Sequence, residues 1–150
     1  MAGYCWPWKS KKAHNSFDII IGDEYQKRWN LDKDGGLWIV AKDSVSEVGC
    51  IHTCQGLELD YVGVIIGADF VVRDGQVTTV PEARATQDQS LKGYKSLLKG
   101  NNLVKEKAIS DASLIIKNTY RTLMTRGMKG CYIYCTDPET ANYFRNLLID

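Results

Sequence analysis

The hydrophobic residues include two continuous apolar runs that predict strands covered on both faces. Residues 61–67 read Tyr-Val-Gly-Val-Ile-Ile-Gly and are rich in β-branched side chains. Residues 130–135 form a similar run near the end of the chain. A short apolar run bounded by glycine is typical of a strand whose two faces are both buried in a parallel sheet. We therefore expect two central strands at these positions.

Two helices are predicted from a different spacing. Over residues 104–124, apolar side chains recur every three or four positions and so share one face. That face comprises Ile109, Ala112, Ile116, Tyr120 and Leu123. Gly127 is placed to end this helix. Asp137 and Pro138 then supply an N-cap and a first-turn proline for a last helix. Its apolar face comprises Tyr143, Phe144, Leu147 and Leu148.

Shorter signals complete the pattern. Residues 71–79 predict a β-hairpin, because Asp74 and Gly75 suit the positive φ angles of a tight turn. Residues 81–100 are polar and predict an excursion over the surface. Residues 37–41 follow an Asp-Gly-Gly turn signal at 34–36 and predict a short strand. Residues 3–6 predict the tail of a strand that Pro7 stops.

Strands alternating with helices indicate the α/β class: a mostly parallel sheet with flanking helices and an inserted β-hairpin. We expect one domain over residues 1–150, with the hairpin and loop insertion at about 70–102. In open α/β sheets, chemistry gathers in the loops beyond the carboxyl ends of the strands. The two loop regions that lead into the predicted strands are the natural candidates.

Composition excludes several classes of protein. The chain has 150 residues and a formal net charge of +1, from 19 Lys and Arg against 18 Asp and Glu. That balance disfavours a strongly basic nucleic-acid binder, although it does not describe local patches. The apolar runs fall far short of the roughly 20 residues that span a bilayer. No secretory signal follows Met1, so we expect a cytoplasmic protein without membrane partners.

Five cysteines form an odd set, which favours reduced thiols over a disulfide framework. Cys50 and Cys54 are spaced C-x3-C, as are Cys131 and Cys135. Four thiolates at this spacing suggest zinc, but structural zinc sites usually use C-x2-C turns. We favour core packing, because small cysteines are common in buried strands.

Residues 50–60 concentrate polar and special side chains immediately before the first strand. Gly56 allows a ligand to approach the backbone closely. His52, Thr53 and Gln55 offer hydrogen-bond donors, and the Glu58 carboxylate suits a ribose hydroxyl. The simpler interpretation is a turn in which the histidine ring is hydrogen-bonded within the protein and the carboxylate caps a helix.

Residues 120–130 carry three cations where the long helix passes into the second strand. Arg126 lies at the helix end, where the helix dipole favours a cation without any further function. The functional alternative is an arginine finger, a guanidinium that neutralises charge on a transferring phosphoryl group.

Together, these two segments resemble the second RecA-like domain of superfamily 1 helicases. Segment 52–58 (His-Thr-Cys-Gln-Gly-Leu-Glu), followed by an apolar strand, is similar to motif V of that group. Segment 123–130, which contains the pair Thr125 and Arg126, is similar to motif VI. Segments 3–8, 47–58 and 120–135 narrow the resemblance to the bacterial and archaeal family labelled "DNA/RNA helicase domain, function unknown", which is related to the Schlafen group of putative ATPases.

The resemblance implies a role for each matching residue. Arg126 would be the finger that reaches the γ-phosphate of ATP. Gly56, Glu58 and Gln55 would lie at the nucleotide edge, and Arg121 would pair with a phosphate or carboxylate nearby. His52 and Thr53 would couple the nucleotide to bound DNA or RNA.

The phosphate-cradling motif G-x-x-x-x-G-K-[S/T] does not occur in the sequence. The resemblance therefore implies a RecA-like lobe without the P-loop, a fragment of a larger protein. Its partner would be an N-terminal RecA-like lobe that holds ATP and Mg²⁺. On its own the chain would be inactive, with no tightly bound cofactor.

Two other functions stay open at this stage. A non-catalytic nucleic-acid-binding or protein-interaction module is suggested by Trp6 and Trp8 beside Lys9, Lys11 and Lys12. The structural alternative packs both tryptophans on the sheet and leaves the lysines solvated. A thiol or hydrolytic enzyme would need Cys54 and His52 as its reactive pair, which the helicase motif explains better.

Overall fold

A computed structural model describes residues 1–30 and 38–148 of the chain. Within these residues, four α-helices and seven strands make a mixed α/β protein. In chain order the elements are β1 (Ile19–Ile21), β2 (Tyr25–Trp29), β3 (Glu47–Val48), α1 (Ile51–Cys54), β4 (Leu59–Ile66), β5 (Phe70–Arg73), β6 (Gln76–Thr79), α2 (Tyr94–Leu97), α3 (Asn102–Met124), β7 (Gly127–Cys135) and α4 (Pro138–Asn146).

The two strands predicted from apolar runs are β4 and β7, and they pair in parallel. Their register joins Val62 to Cys131 and Ile66 to Cys135, with an irregularity between Leu59 and Tyr61. On the other side of β4, Ala2 makes a parallel bridge to Ile65, so the predicted strand tail at 3–6 contracts to a single bridge just before it.

The described strands form three small sheets, which corrects the expectation of one mostly parallel sheet. β1 and β2 pair antiparallel, and β2 pairs in parallel with the two-residue β3. The predicted hairpin is confirmed as β5 and β6, which pair antiparallel. Asp74 and Gly75 at its turn have φ angles of 52° and 73°.

One face of the β4–β7 pair packs against α3 and forms the main core. Val62, Val64 and Ile66 contact a group of buried residues that includes Ile116 and Tyr120. The helix period predicted this face correctly except at Ile109, which is 44% exposed. In the first half of α3 the buried positions are Ala108 and Ala112, and Ile109 lies to one side of them.

The opposite face of the β4–β7 pair is only partly covered, which limits the prediction of strands buried on both sides. Ile65 on this face is buried in a second cluster with Ile19 and Trp29, whereas three tyrosines on the same face are exposed. Tyr61, Tyr132 and Tyr134 are 57%, 71% and 52% exposed. The Tyr61 and Tyr132 rings lie 6.2 Å apart between centroids. The apolar run predicted the strands well but could not show that one of their faces is covered only around Ile65.

The polar segment at 81–100 is more deeply buried than its composition suggests. Arg84 and Asp88 are buried, and Arg84 donates to the carboxylates of Asp88 and Asp69. Tyr120 of α3 donates to Asp69 as well, at 2.5 Å. A buried polar network therefore fastens the excursion to the end of β4 and to the main core.

Several predicted boundaries also change. The strand expected at 37–41 is a 3-10 turn at residues 38–40, with Trp38 buried, while residue 37 and its turn signal at 34–36 lie outside the described residues. Asp137 caps α4 by accepting the Thr140 amide, as predicted. Leu147 and Leu148 lie beyond α4 and are exposed. In the described part of the chain, no helix is long and apolar enough to cross a membrane.

Candidate functional site

The segment before β4 begins with the short helix α1, and its local contacts hold it in place. The Cys50 amide donates to Thr53 Oγ1 at 3.1 Å, and Thr53 Oγ1 lies 2.9 Å from the buried Asn30 side chain, to which it donates. Gly49 is needed just before α1, because a β-carbon there would collide with Cys54 and Trp38. Thr53 is therefore a structural anchor of this segment.

Four of the predicted residues in this segment are exposed to solvent. His52 projects from α1, and Gln55, Gly56 and Glu58 lie on the turn that leads into β4. Gly56 has a φ of +85°, a conformation that favours glycine, and a β-carbon there would meet open space. The turn thus presents backbone and polar side chains to solvent, which leaves room for a ligand.

Arg126 lies at the junction between α3 and β7 and reaches the same turn. Its Nε donates to the Thr122 carbonyl at 3.0 Å, and its Nη1 donates to the Leu57 carbonyl at 3.2 Å. In return, the Leu59 amide donates to the Arg126 carbonyl at 2.9 Å. Segments 69 residues apart in sequence are therefore joined by hydrogen bonds in both directions.

Arg121 lies five residues earlier, on α3, and is exposed. Its backbone carbonyl accepts the Thr125 amide at the end of the helix. The hydrogen bonds that join the two segments use the Arg126 guanidinium and backbone groups, and the Arg121 side chain stands outside them.

The site lies at the amino ends of the strands, which corrects the expectation of the carboxyl ends. Leu59 and Gly127, the first residues of β4 and β7, are register partners. Both candidate segments precede their strands, so a parallel pairing brings them to one edge. The general rule for open α/β sheets points to the carboxyl ends, whereas both candidate segments lie at the amino ends.

The cysteines are packing residues. Cys50, Cys54 and Cys135 are buried, and all five cysteines are free thiols. Burial raises the pKa of Cys54 to about 11, so its thiol stays protonated at neutral pH. This protonation disfavours Cys54 as a nucleophile. Within residues 1–30 and 38–148, no group of three or more His, Cys, Asp or Glu side chains is placed to hold a metal ion.

The sequence did not point to two buried polar residues, Asn30 and Asp69, that hold neighbouring segments in place. Asn30 is 1% exposed and holds Thr53, but it follows β2 in a region without a motif. Asp69 is fully buried and accepts from Tyr120 and Arg84, yet a lone aspartate beside a strand gives no spacing signal. The two half-buried tryptophans, Trp6 and Trp8, pack against a second core cluster. Its buried members are Ala2, Tyr4, Ile19, Trp29, Val48, Cys50, Ile65 and Ala85. This agrees with the alternative in which both tryptophans pack on the protein.

The geometry defines a mixed α/β domain whose exposed polar turn is tied to an arginine at a helix-to-strand junction. Comparison with known proteins supplies the family. Residues 1–137 match the family model described as Schlafen group 3, DNA/RNA helicase domain, and the chain belongs to that family.

A curated relative is similar to most of the chain. The "Uncharacterized protein YPL245W" of Saccharomyces cerevisiae is 30% identical over 123 residues, which cover 81% of this chain. The match covers 26% of the yeast protein, so the chain spans about a quarter of that relative's length. No solved structure matches the chain.

Proposed function

We propose that this chain is the C-terminal motor lobe of a nucleic-acid-dependent ATPase of the helicase type. In this proposal it is the second RecA-like lobe of a superfamily 1 enzyme, with segment 52–58 as motif V and segment 123–130 as motif VI. ATP and Mg²⁺ are held by an N-terminal RecA-like lobe of the same parent chain. DNA or RNA is the partner that stimulates turnover.

The observation that carries the proposal is the reciprocal contact between Arg126 and the turn before β4. The guanidinium donates to the Leu57 carbonyl, and the Arg126 carbonyl accepts from Leu59. In this proposal the contact is the route by which movement of one motif reaches the other. Membership of a DNA/RNA helicase domain family supports the same function.

The residues present fit an edge contribution to a nucleotide site. Arg126 supplies a half-buried guanidinium, Gly56 an accessible backbone, and Glu58 an exposed carboxylate. In the proposal Arg126 neutralises charge at the γ-phosphate, while Glu58, Gly56 and Gln55 line the ribose side. To act as a finger, the guanidinium exchanges its carbonyl acceptors for phosphate oxygens, which are stronger, charge-assisted partners.

The remaining predicted residues have supporting roles in this proposal. His52 is exposed beside the turn and is suited to contact nucleic acid. Thr53 acts through its contacts with Asn30 and Cys50, which fix the position of His52. Arg121 is exposed on α3, five residues before the finger, and offers a second cation to the phosphates.

The test compares ATP hydrolysis by the isolated chain with that of a full-length protein containing it. We expect the full-length protein to hydrolyse ATP with Mg²⁺, faster when single-stranded DNA or RNA is added. The isolated chain should show none, because an arginine finger accelerates hydrolysis only where the phosphates and Mg²⁺ are already held. A full-length protein that binds nucleic acid but does not hydrolyse ATP would contradict the proposal.

A further inference from the structure

The strand β7 forms the outer edge of the main strand pair. Its register partners lie on β4, and the described part of the chain places no strand on its other side. The Thr136 amide donates to the carbonyl of Ile66, whose register partner is Cys135. Because a residue in a parallel ladder bonds to the neighbours of its register partner, the bonds to β4 come from residues 132, 134 and 136. The N–H and C=O groups of Cys131, Ile133 and Cys135 therefore point away from β4.

These outward backbone groups have no hydrogen-bond partner within residues 1–30 and 38–148. The helix α4 contacts β7, but Ala141 and Phe144 of α4 pack against the main core. This helix therefore lies on the same face as α3 and not in line with the edge. Ile133 is 37% exposed and its neighbour Tyr132 is 71% exposed. The middle of β7 is thus accessible to another strand.

The free edge of β7 lacks the features that usually keep sheet edges apart. Natural edge strands are very short, or they carry a lysine, a proline or a bulge. β7 has nine residues, and residues 130–136 include no charged residue and no proline. The register irregularity between Leu59 and Tyr61 lies near the start of the pair, away from Ile133. Such a strand is a template for pairing with another chain.

We propose that β7 pairs with β7 of a second copy of this chain, antiparallel and centred on Ile133. In this register Ile133 faces Ile133 of the second copy, and Cys131 faces Cys135. All three positions have outward backbone groups, so each facing pair exchanges both of its N–H···O bonds. The pairing occupies the free edge of β7 in both copies, so it closes as a two-fold dimer.

The side chains of β7 favour a second copy as the partner. In the register centred on Ile133, Tyr132 of each copy lies directly opposite Tyr134 of the other, on the exposed face. Directly opposed aromatic side chains stabilise an antiparallel pair. The Tyr61 and Tyr132 rings lie 6.2 Å apart between centroids, so the row of rings extends from each copy into the other. A register centred on Cys131 would set Tyr132 against Gly130 and lose these pairs.

The charges at the two ends of β7 are compatible with this pairing. Lys129 stands at the register position opposite Asp137 of the second copy, so opposite charges approach each other at both ends. Each also has a partner in its own chain, Asp60 for Lys129 and Arg73 for Asp137. A net charge of only +1 leaves little overall repulsion between the copies.

Sedimentation velocity of the purified chain over a range of concentrations tests the proposal. We expect a monomer–dimer equilibrium for the wild-type chain. Ile133→Lys sets two lysines directly opposite each other and should weaken the dimer by at least about tenfold. Ile109→Lys is the matched control, because Ile109 lies on α3, is 44% exposed and receives the same charge. The control should dimerise like the wild-type chain.

A mixing experiment identifies the partner of position 133. Ile133→Glu alone should also weaken the dimer, whereas an equimolar mixture of Ile133→Lys and Ile133→Glu should dimerise again, because lysine then faces glutamate. Circular dichroism checks that each variant is folded. If a variant at 133 is not folded, a mixture of Tyr132→Lys with Tyr134→Glu makes the same test at side chains that are 71% and 52% exposed.

Three results would overturn the proposal. One is a wild-type chain that stays monomeric at every concentration. Another is a dimer that Ile133→Lys leaves intact, which would assign the contact to a different surface. The third is a mixture of oppositely charged variants that stays monomeric, which would show that position 133 does not face itself and would leave the edge to a different partner. None of these results depends on ATP hydrolysis, so the dimer and the proposed function are tested separately.

Discussion

The Arg126 guanidinium donates to the carbonyl oxygen of Leu57 at 3.2 Å, and this contact joins the end of α3 to the turn before β4. The same guanidinium also donates to Thr122 within the helix. Arg126 is therefore a structural tie in this conformation as well as the proposed finger. The two roles make different predictions.

Replacing Arg126 with alanine should lower the free energy of unfolding by about 1–2 kcal/mol, because charge-assisted hydrogen bonds to two carbonyls are lost from a half-buried site. Urea unfolding of the isolated chain measures this. Arg145→Ala is the control, since Arg145 is exposed and should change stability by less than about 0.5 kcal/mol. Equal stability of the two variants would show that the tie to Leu57 contributes nothing.

Gly56→Ala should destabilise the chain by about 1 kcal/mol, because a β-carbon strains a residue at a φ of +85° even where space is open. Gly63→Ala is a matched control in β4: it also meets open space, and its φ is not in the left-handed range. Gly63→Ala should be neutral or slightly stabilising. Identical unfolding curves for the two variants would contradict the strained turn.

Tyr120→Phe should cost about 1–3 kcal/mol of stability. The hydroxyl accepts from the Gly67 amide and donates to Asp69, so its removal leaves buried polar groups unpaired. Tyr132→Phe removes a hydroxyl from a side chain that is 71% exposed and should have little effect. Thermal unfolding of both variants decides the matter, and a similar melting temperature for the two would contradict a stabilising network at Asp69.

The stability of the chain should fall in acid partly because of Asp137. Hydrogen bonds from Arg73 and then Thr140 hold the pKa of Asp137 well below its usual range. The pKa of Asp137 is lower in the folded chain than in the unfolded chain, where it is about 3.9. Ionised Asp137 therefore stabilises the fold fully above the unfolded pKa, and this stabilisation is lost as the pH falls toward the folded pKa. Urea titrations between pH 2 and 6 should show a shallower decline for Asp137→Asn and for Arg73→Met. A wild-type slope in both variants would contradict this assignment.

The periodic part of the fold could be predicted from sequence. α3, α4, β4, β7 and the β5–β6 hairpin follow from apolar spacing and turn chemistry. β1, β2 and β3 could not, because they are short and half-exposed and their pairing depends on contacts such as Asp18 with Trp29. Burial within residues 81–100 could not be predicted either, because composition does not show that the charged residues Arg84 and Asp88 are buried as a pair.

The sequence predicts the two segments of the candidate site, but it does not predict how they lie relative to each other. Residue type and order single out segment 52–58 and Arg126 as candidates. The parallel register of Leu59 with Gly127 brings the two segments together at the amino ends of the strands. The role of Thr53 in coupling nucleotide to nucleic acid stays a prediction. Its hydroxyl donates to Asn30, a partner 23 residues away that no local pattern reveals.

The rate of ATP hydrolysis by a full-length protein carrying Arg126→Ala tests the central claim most directly. The account predicts that kcat falls about 10³-fold or more, the contribution of an arginine finger, while the nucleotide Kd changes little. Arg145→Ala should retain the wild-type rate. A folded Arg126→Ala protein with a wild-type kcat would contradict the finger and leave Arg126 as a structural residue only.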